Sequence, residues 1–229
     1  MKSDIILESL ELTLELIPSY ECNLRCKYCA ASINLYKGGT KTSLSQFERY
    51  AECLKKFHFS RVKISGGGEP TLHEGFHEIC RDIKGLFSAE VYTLATNGCN
   101  LMDYLDDIVI FNSVELSNYP GANDNICTKI GKLNIPNINI VSKQVGRGLC
   151  DIYQRPNIDK VDVYERCRLS NIKQIVGGRI YPCPQIYWEN LRKNYGKCED
   201  FSVKVSSKCF DELKLISIES FCRNCWCEV

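Results

Sequence analysis

Three cysteines spaced C-x3-C-x2-C, at Cys22, Cys26 and Cys29, stand directly behind the alternating segment Leu12-Thr13-Leu14-Glu15-Leu16. Its period of two reads as a strand ending at Ile17-Pro18. Three thiolates in one loop at a strand's end can wrap a soft metal centre, iron-sulfur or zinc, in preference to a hard cation. With three local ligands, one metal corner stays open, which suits chemistry rather than a structural staple.

The 229 residues suit one large domain, or one domain with a small appendage. With 29 Lys and Arg against 28 Asp and Glu, the formal charge is +1. That balance gives neither the basic footprint of a nucleic-acid binder nor a polybasic membrane patch, so no nucleic-acid or membrane partner is expected. Met1-Lys2-Ser3-Asp4 leads only into Ile5-Ile6-Leu7 before Glu8, unlike a signal peptide, and no apolar run approaches membrane length. The expected location is cytoplasmic. There the 15 cysteines meet a reducing compartment, where clustered thiols are better explained by metal than by disulfides.

Downstream, Ser43-Leu44-Ser45-Gln46 has a capping-box pattern, and Leu44, Phe47, Ala51, Leu54 and Phe57 follow at helical spacing. Val62-Lys63-Ile64-Ser65 then reads as a short strand running into Gly66-Gly67-Gly68-Glu69-Pro70, with a helix on Phe76, Ile79, Ile83 and Leu86. A strand, a glycine-rich turn and a helix make the β-α rhythm of a parallel sheet. A third strand, Val91 to Ala95, ends at Thr96-Asn97-Gly98 and is followed by a short helix around Leu101, Leu105 and Ile108. A fourth, Ser113 to Ser117, ends in Ser117-Asn118-Tyr119. A helix on Ile126, Ile130 and Leu133 precedes a fifth, Asn137 to Val141, and a weaker sixth is signalled near Lys160 to Tyr164. The strand ends would share one face, where parallel α/β folds place ligands. His73-Glu74-Gly75-Phe76-His77 matches H-E-x-x-H, but Gly75 weakens the helix that would present the pair. The expected role is a solvated first helical turn.

C-x3-C-x2-C with an aromatic, Tyr28, in its last gap resembles the radical S-adenosylmethionine (SAM) superfamily. The resemblance implies that Cys22, Cys26 and Cys29 hold a [4Fe-4S] cluster whose fourth iron is chelated by SAM. One electron would then cleave SAM to methionine and a 5'-deoxyadenosyl radical, which abstracts hydrogen from the substrate. A zinc knuckle is the bland alternative. Gly67-Gly68-Glu69-Pro70 is similar to the family's Gly-Gly-Glu motif, which implies that Gly67, Gly68 and Glu69 hold the SAM amino group. Asn97 and Ser117, at the third and fourth strand ends, are carried over as further SAM contacts. The implied fold is α/β, an incomplete parallel (β/α)6-type barrel over residues 1–165, served by a reductant such as flavodoxin or ferredoxin.

From Cys167 the pattern changes. Lys173 to Val176, Gly177-Gly178 and Arg179 to Tyr181 read as a hairpin bounded by Cys167 and Cys183, and the chain closes with Cys222-Arg223-Asn224-Cys225-Trp226-Cys227. Cysteines at both ends of the segment make a four-thiolate site feasible. The segment resembles the Twitch extension, a shortened SPASM domain. That implies a small C-terminal iron-sulfur appendage over residues 166–229, with an auxiliary [4Fe-4S] cluster on Cys167, Cys183, Cys222 and Cys225. Cys227, Cys198 and Cys209 are further ligand candidates, and a zinc ribbon is equally suited to two cysteine pairs. Cys53, Cys80, Cys99, Cys127 and Cys150 have no partner spacing; Cys53 and Cys80 read as small core residues. The function implied is hydrogen abstraction from a small-molecule, carbohydrate-like substrate, a net oxidation assisted by the auxiliary cluster. Lys143, Arg147, Tyr153 and Arg155 are candidate substrate contacts. A ribosomal-peptide maturase acting on a peptide substrate, a glycyl-radical-enzyme activase and a zinc-binding module are the alternatives.

Overall fold

The computed structural model describes residues 7–26, 29, 31, 33–36, 41–142, 167, 169–193, 198–218 and 221–222. In chain order these form β1 (Glu8–Leu16), α1 (Leu44–Leu54), β2 (Phe57–Ile64), α2 (Phe76–Leu86), β3 (Ser88–Thr96), β4 (Ser113–Asn118), α3 (Asp124–Gly131) and β5 (Ile138–Ser142). Then follow β6 (Ile172–Val176), β7 (Arg179–Tyr181), α4 (Pro184–Lys193), β8 (Val203–Lys204) and α5 (Cys209–Leu213). One sheet runs β5-β4-β3-β2-β1-β6-β7-β8, parallel from β5 through β6 and antiparallel thereafter. This is an α/β fold with a mostly parallel sheet. Among the described residues no helix is long and apolar enough to cross a membrane.

Strand alternation sorts the side chains. Leu14, Leu16, Val62, Ile64, Leu94, Val114 and Leu116 are buried in one core with Phe47 and Leu54 of α1 and Phe76, Ile79 and Ile83 of α2. Between them, on the other face of the sheet, stand Glu15, Lys63, Thr93 and Glu115. α1 and α2 begin where the sequence predicts, whereas α4 and α5 were not expected from it. The Ser43 hydroxyl accepts the Gln46 N–H while the Gln46 side chain accepts the Ser43 N–H, a complete capping box.

Several boundaries differ from the expectation. Phe57 belongs to β2 rather than to the first helix, because the chain turns at Lys55-Lys56 and Phe57 pairs in register with Glu8. Its ring packs 4.8 Å from Phe210. The segment around Leu101, Leu105 and Ile108 is two 3-10 turns, Leu101–Tyr104 and Ile108–Ile110. The Tyr92 N–H binding Asn112 Oδ1 at 2.8 Å pulls the following chain into β4. α3 stops at Gly131, short of Leu133, as Asn134 turns left-handed at φ 53°. The predicted strand near Lys160 to Tyr164 lies outside the described residues.

The Gly177-Gly178 hairpin forms as expected, both glycines taking positive φ (57° and 79°), the conformation a two-residue turn requires. Its first strand also pairs in parallel with β1, Glu15 beside Gln174 and Leu16 beside Ile175. The C-terminal segment is thereby hydrogen-bonded into the same sheet.

The H-E-x-x-H segment is a solvated helical turn only in part: Glu74 and His77 are exposed, His77 in the first turn of α2. His73 precedes α2 and is buried. Its Nδ1 accepts the Gly75 N–H at 2.9 Å, so Nε2 carries the proton and donates to the Thr42 carbonyl at 2.9 Å. His77 lies at the surface beside Asp107, 2.9 Å away. Burial holds the His73 imidazole below its usual value. A pKa lower in the folded than in the unfolded chain gives stability that is present above about pH 6.5 and lost as pH falls. The urea midpoint is therefore expected to drop between pH 7 and pH 5, and His73→Gln to flatten that drop. An unchanged slope in the variant would move the pH dependence to other groups.

Candidate functional site

The loops leaving β1, β2, β3 and β4 surround a cavity of about 800 Å3. Cys22, Cys26 and Cys29 line it, together with Gly67, Gly68 and Glu69 of the glycine turn and with Asn97 and Ser117 at the next two strand ends. Every residue assigned from sequence to the first cluster and to SAM thus reaches one cavity. Tyr28 lies outside the described residues.

The glycine turn docks on the cysteine loop backbone to backbone. The Gly68 N–H donates to Ser19 O at 3.0 Å and the Glu69 N–H to Glu21 O at 2.6 Å. A Cβ on Gly68 would stand 2.0 Å from Glu21 O, and one on Gly67 would stand 2.3 Å from the Trp188 ring of α4. These glycines let two loops and a C-terminal helix approach one another at the cavity wall.

Glu69 is the buried tie between strand ends. Its Oε1 accepts the Thr71 N–H (3.2 Å), the Thr71 hydroxyl (2.8 Å) and the Thr96 hydroxyl (2.5 Å), and its Oε2 accepts the Asn97 N–H (2.7 Å). The Thr96 hydroxyl itself accepts from Gly98 N–H, so its proton points at Glu69. Burial pushes the carboxyl pKa up, and these four donors oppose the shift. Glu69→Gln replaces an acceptor with a donor facing fixed donors, with an expected cost of about 1–3 kcal/mol. The urea midpoint checks this; an unchanged midpoint would remove Glu69 from the tie.

Asn97 supports the cysteine loop. Its Nδ2 donates to Asn23 Oδ1 at 2.8 Å and approaches Cys22 Sγ at 3.8 Å, while its Oδ1 accepts the Cys99 N–H at 2.9 Å. Ser117 is buried on the wall beside Tyr119. Tyr119 has its pKa pushed up to about 12, by burial first and then by Cys26 and Cys29.

The donor set fits a metal cluster. Burial pushes the Cys22 and Cys26 thiols up, and neighbouring Cys29 adds to both. Thiols disfavoured as thiolates in this way gain when a cationic centre takes their charge. Among the described residues no three Cys, His, Asp or Glu side chains gather round a single ion position. The three thiols are instead distributed along the cavity wall.

Of the C-terminal cysteines, Cys183 and Cys222 are buried in one second core with Tyr20, Trp188 and Phe221, against which Cys29 also packs. Cys167 is half-buried just before β6. Cys209 is fully buried in the main core beside Phe210. Cys225, Cys227 and Cys150 lie outside the described residues, as do Lys143, Arg147, Tyr153 and Arg155. Cys80 and Cys53 pack in or against the main core, as expected. Burial, with a smaller push from Asp107, moves the Cys80 thiol up to about 12, which leaves it inert.

Sequence reasoning missed Lys63 and Glu115, which line the cavity. The signal was present in the triplets Leu14-Glu15-Leu16, Val62-Lys63-Ile64 and Val114-Glu115-Leu116. Each sets a charge between two buried aliphatics on a strand, so the charge faces the side opposite the core.

Residues 16–117, which run from the end of β1 to Ser117, match the Radical SAM superfamily. That stretch, a little under half of the chain, is similar to a radical SAM domain. With that domain come a [4Fe-4S] cluster and SAM as cofactors. Over 89 residues the chain is 36% identical to a probable GTP 3',8-cyclase of Methanococcus aeolicus, covering 37% of this chain and 28% of that relative. Over 104 residues it is 29% identical to the mitochondrial GTP 3',8-cyclase of Arabidopsis thaliana, covering 43% and 26%. The chain thus spans about a quarter of the length of these curated relatives. Among solved structures, BtrN in complex with AdoMet and 2-DOIA aligns with a TM-score of 0.63 over 94% of this chain and 93% of that one, at 16% identity. BtrN in an open conformation gives 0.58 over 98% and 94%, also at 16% identity. At that identity the likeness concerns the fold.

Proposed function

We propose that the chain reductively cleaves SAM and abstracts hydrogen from a small-molecule, carbohydrate-like substrate. The net reaction would be a two-electron oxidation with SAM as the oxidant, primed by one electron from a reductant such as flavodoxin or ferredoxin and assisted by an auxiliary [4Fe-4S] cluster on Cys167, Cys183, Cys222 and Cys225, which would accept the electron left on the substrate. The observation that carries this reading is the convergence of Cys22, Cys26, Cys29, the Gly67-Gly68-Glu69 turn, Asn97 and Ser117 on one cavity. When bound, the first cluster and SAM supply a 5'-deoxyadenosyl radical able to take hydrogen from an unactivated carbon.

The chain's own residues hold and shape the site. Cys22, Cys26 and Cys29 would ligate the cluster, leaving SAM to complete it. Glu69 fixes the turn that receives SAM against Thr71, Thr96 and Asn97. The Asn97 side chain holds the cysteine loop through Asn23. Burial of Cys183 and Cys222 in one core that also touches Cys29 supports an auxiliary site close to the first. A nucleotide substrate is the second reading, favoured by the likeness to GTP 3',8-cyclases over part of the chain.

Iron and sulfide counts on anaerobically purified protein test the cofactor content. About eight irons are expected, four per cubane. About four would remove the auxiliary cluster and favour an activase, and zinc without sulfide would return the metal-binding module.

A further inference from the structure

The wall of the cavity is polar where a parallel barrel is ordinarily filled by branched apolar side chains. Strand register sets Gln174 beside Glu15, Glu15 beside Lys63, Lys63 beside Thr93, and Ala95 beside Glu115. Lys63 Nζ lies 3.0 Å from Glu115 Oε2, so the pair reaches across β3, where the small Ala95 leaves room. Lys63, Ala95 and Glu115 line the same cavity as the three cysteines. The two charged side chains are 20% and 32% exposed, neither sealed in the core nor fully solvated.

A built polar layer stands next to this pair. Glu15 is buried, with Oε1 accepting the Ser65 hydroxyl at 2.7 Å and Oε2 accepting Gln174 Nε2 at 2.6 Å. Thr93, in register with Lys63 and 3% exposed, has a hydroxyl with no hydrogen-bond partner among the described residues. Burying a hydroxyl without a partner is unfavourable, so this one, just behind the wall, adds to the polar character of the layer under the pair.

The charge balance narrows the ligand. Where the pair stands, Lys63 is already held by Glu115, whose carboxylate would itself meet an anionic ligand. Recognition of a triphosphate calls for several unpaired cations in fork or point contact with its oxygens. A carboxylate beside an ammonium instead suits neighbouring hydroxyl or amino groups, with Glu115 accepting from the ligand and Lys63 donating to its oxygens.

We infer that Lys63 and Glu115 are the substrate-recognition pair of this site and select a compact polyhydroxylated molecule, uncharged or amine-bearing, over a nucleoside triphosphate. This rests on the proposed function, since it names the substrate class of the same cavity.

The test titrates anaerobically reconstituted holoenzyme, with SAM present, by calorimetry against streptamine, myo-inositol and GTP. The expected result is that at least one of the two polyols binds tenfold or more tighter than GTP. Lys63→Met/Glu115→Gln removes both charges while keeping the side-chain volumes, so no lone charge is left buried. That variant is expected to lose the polyol preference by tenfold or more. The ratio of polyol to GTP affinity is read on the same sample, so partial unfolding does not imitate the loss. Tighter binding of GTP, no measurable binding of either polyol, or an unchanged ratio in the double variant would each overturn the inference. Failure of the underlying function shows separately, as absence of 5'-deoxyadenosine from the wild-type enzyme with SAM and dithionite.

Discussion

Alanine at Cys22, Cys26 and Cys29 together is expected to remove about four irons per chain, one cubane's worth, and to abolish 5'-deoxyadenosine formation under dithionite. The three thiols line one cavity and feel one another's charge, so they are expected to act as a unit rather than as separate contributors. Their loop is also held from outside. Asn97 binds Asn23, Ser19 Oγ accepts the Glu21 N–H at 3.1 Å, and the glycine turn binds Ser19 O and Glu21 O. Removing the thiols therefore leaves the loop's supports in place, and loss of activity reports loss of the cluster. Deoxyadenosine accumulating in the triple variant would place the chemistry elsewhere.

The Cys167→Ala/Cys183→Ala double variant is expected to lose about half the iron, one of two cubanes, and to stop turning substrate over. Cys183 sits in the second core with Ile186 and Trp188, beside the half-buried Lys173, whose pKa burial lowers to about 8. A metal's binding energy is often folding energy in such a segment. Circular dichroism on the same sample therefore accompanies the iron count. Halved iron with retained ellipticity supports a separable auxiliary cluster. Full iron with normal turnover would return the zinc ribbon or a purely structural role.

The first cavity was legible in the sequence because its residues fall at strand ends. Cys22, Gly67, Asn97 and Ser117 each follow or close a run of strand residues, and parallel strands bring such ends together. What a side chain does within that cavity was less legible. The Gly-Gly-Glu resemblance implies a SAM contact for Glu69, but the partners of its carboxylate, Thr71, Thr96 and Asn97, come in part from another strand end. Such partners are a property of tertiary packing.

Likewise, the hairpin at Gly177-Gly178 could be read from its turn residues, whereas the pairing of β6 with β1 could not. The two strands meet across most of the chain, and only the buried pattern they share hints at the contact. The charged triplets around Glu15, Lys63 and Glu115 were readable but passed over, because each alone resembles an ordinary amphipathic strand. Their common placement on one face becomes visible only with the register in hand.

The most direct measurement mixes anaerobically reconstituted wild-type protein with SAM and dithionite and quantifies 5'-deoxyadenosine and methionine by chromatography. Formation of both in equal amounts, dependent on the reductant, is expected. Neither product appearing from protein whose iron and sulfide counts show an intact cluster would contradict SAM cleavage at Cys22, Cys26 and Cys29.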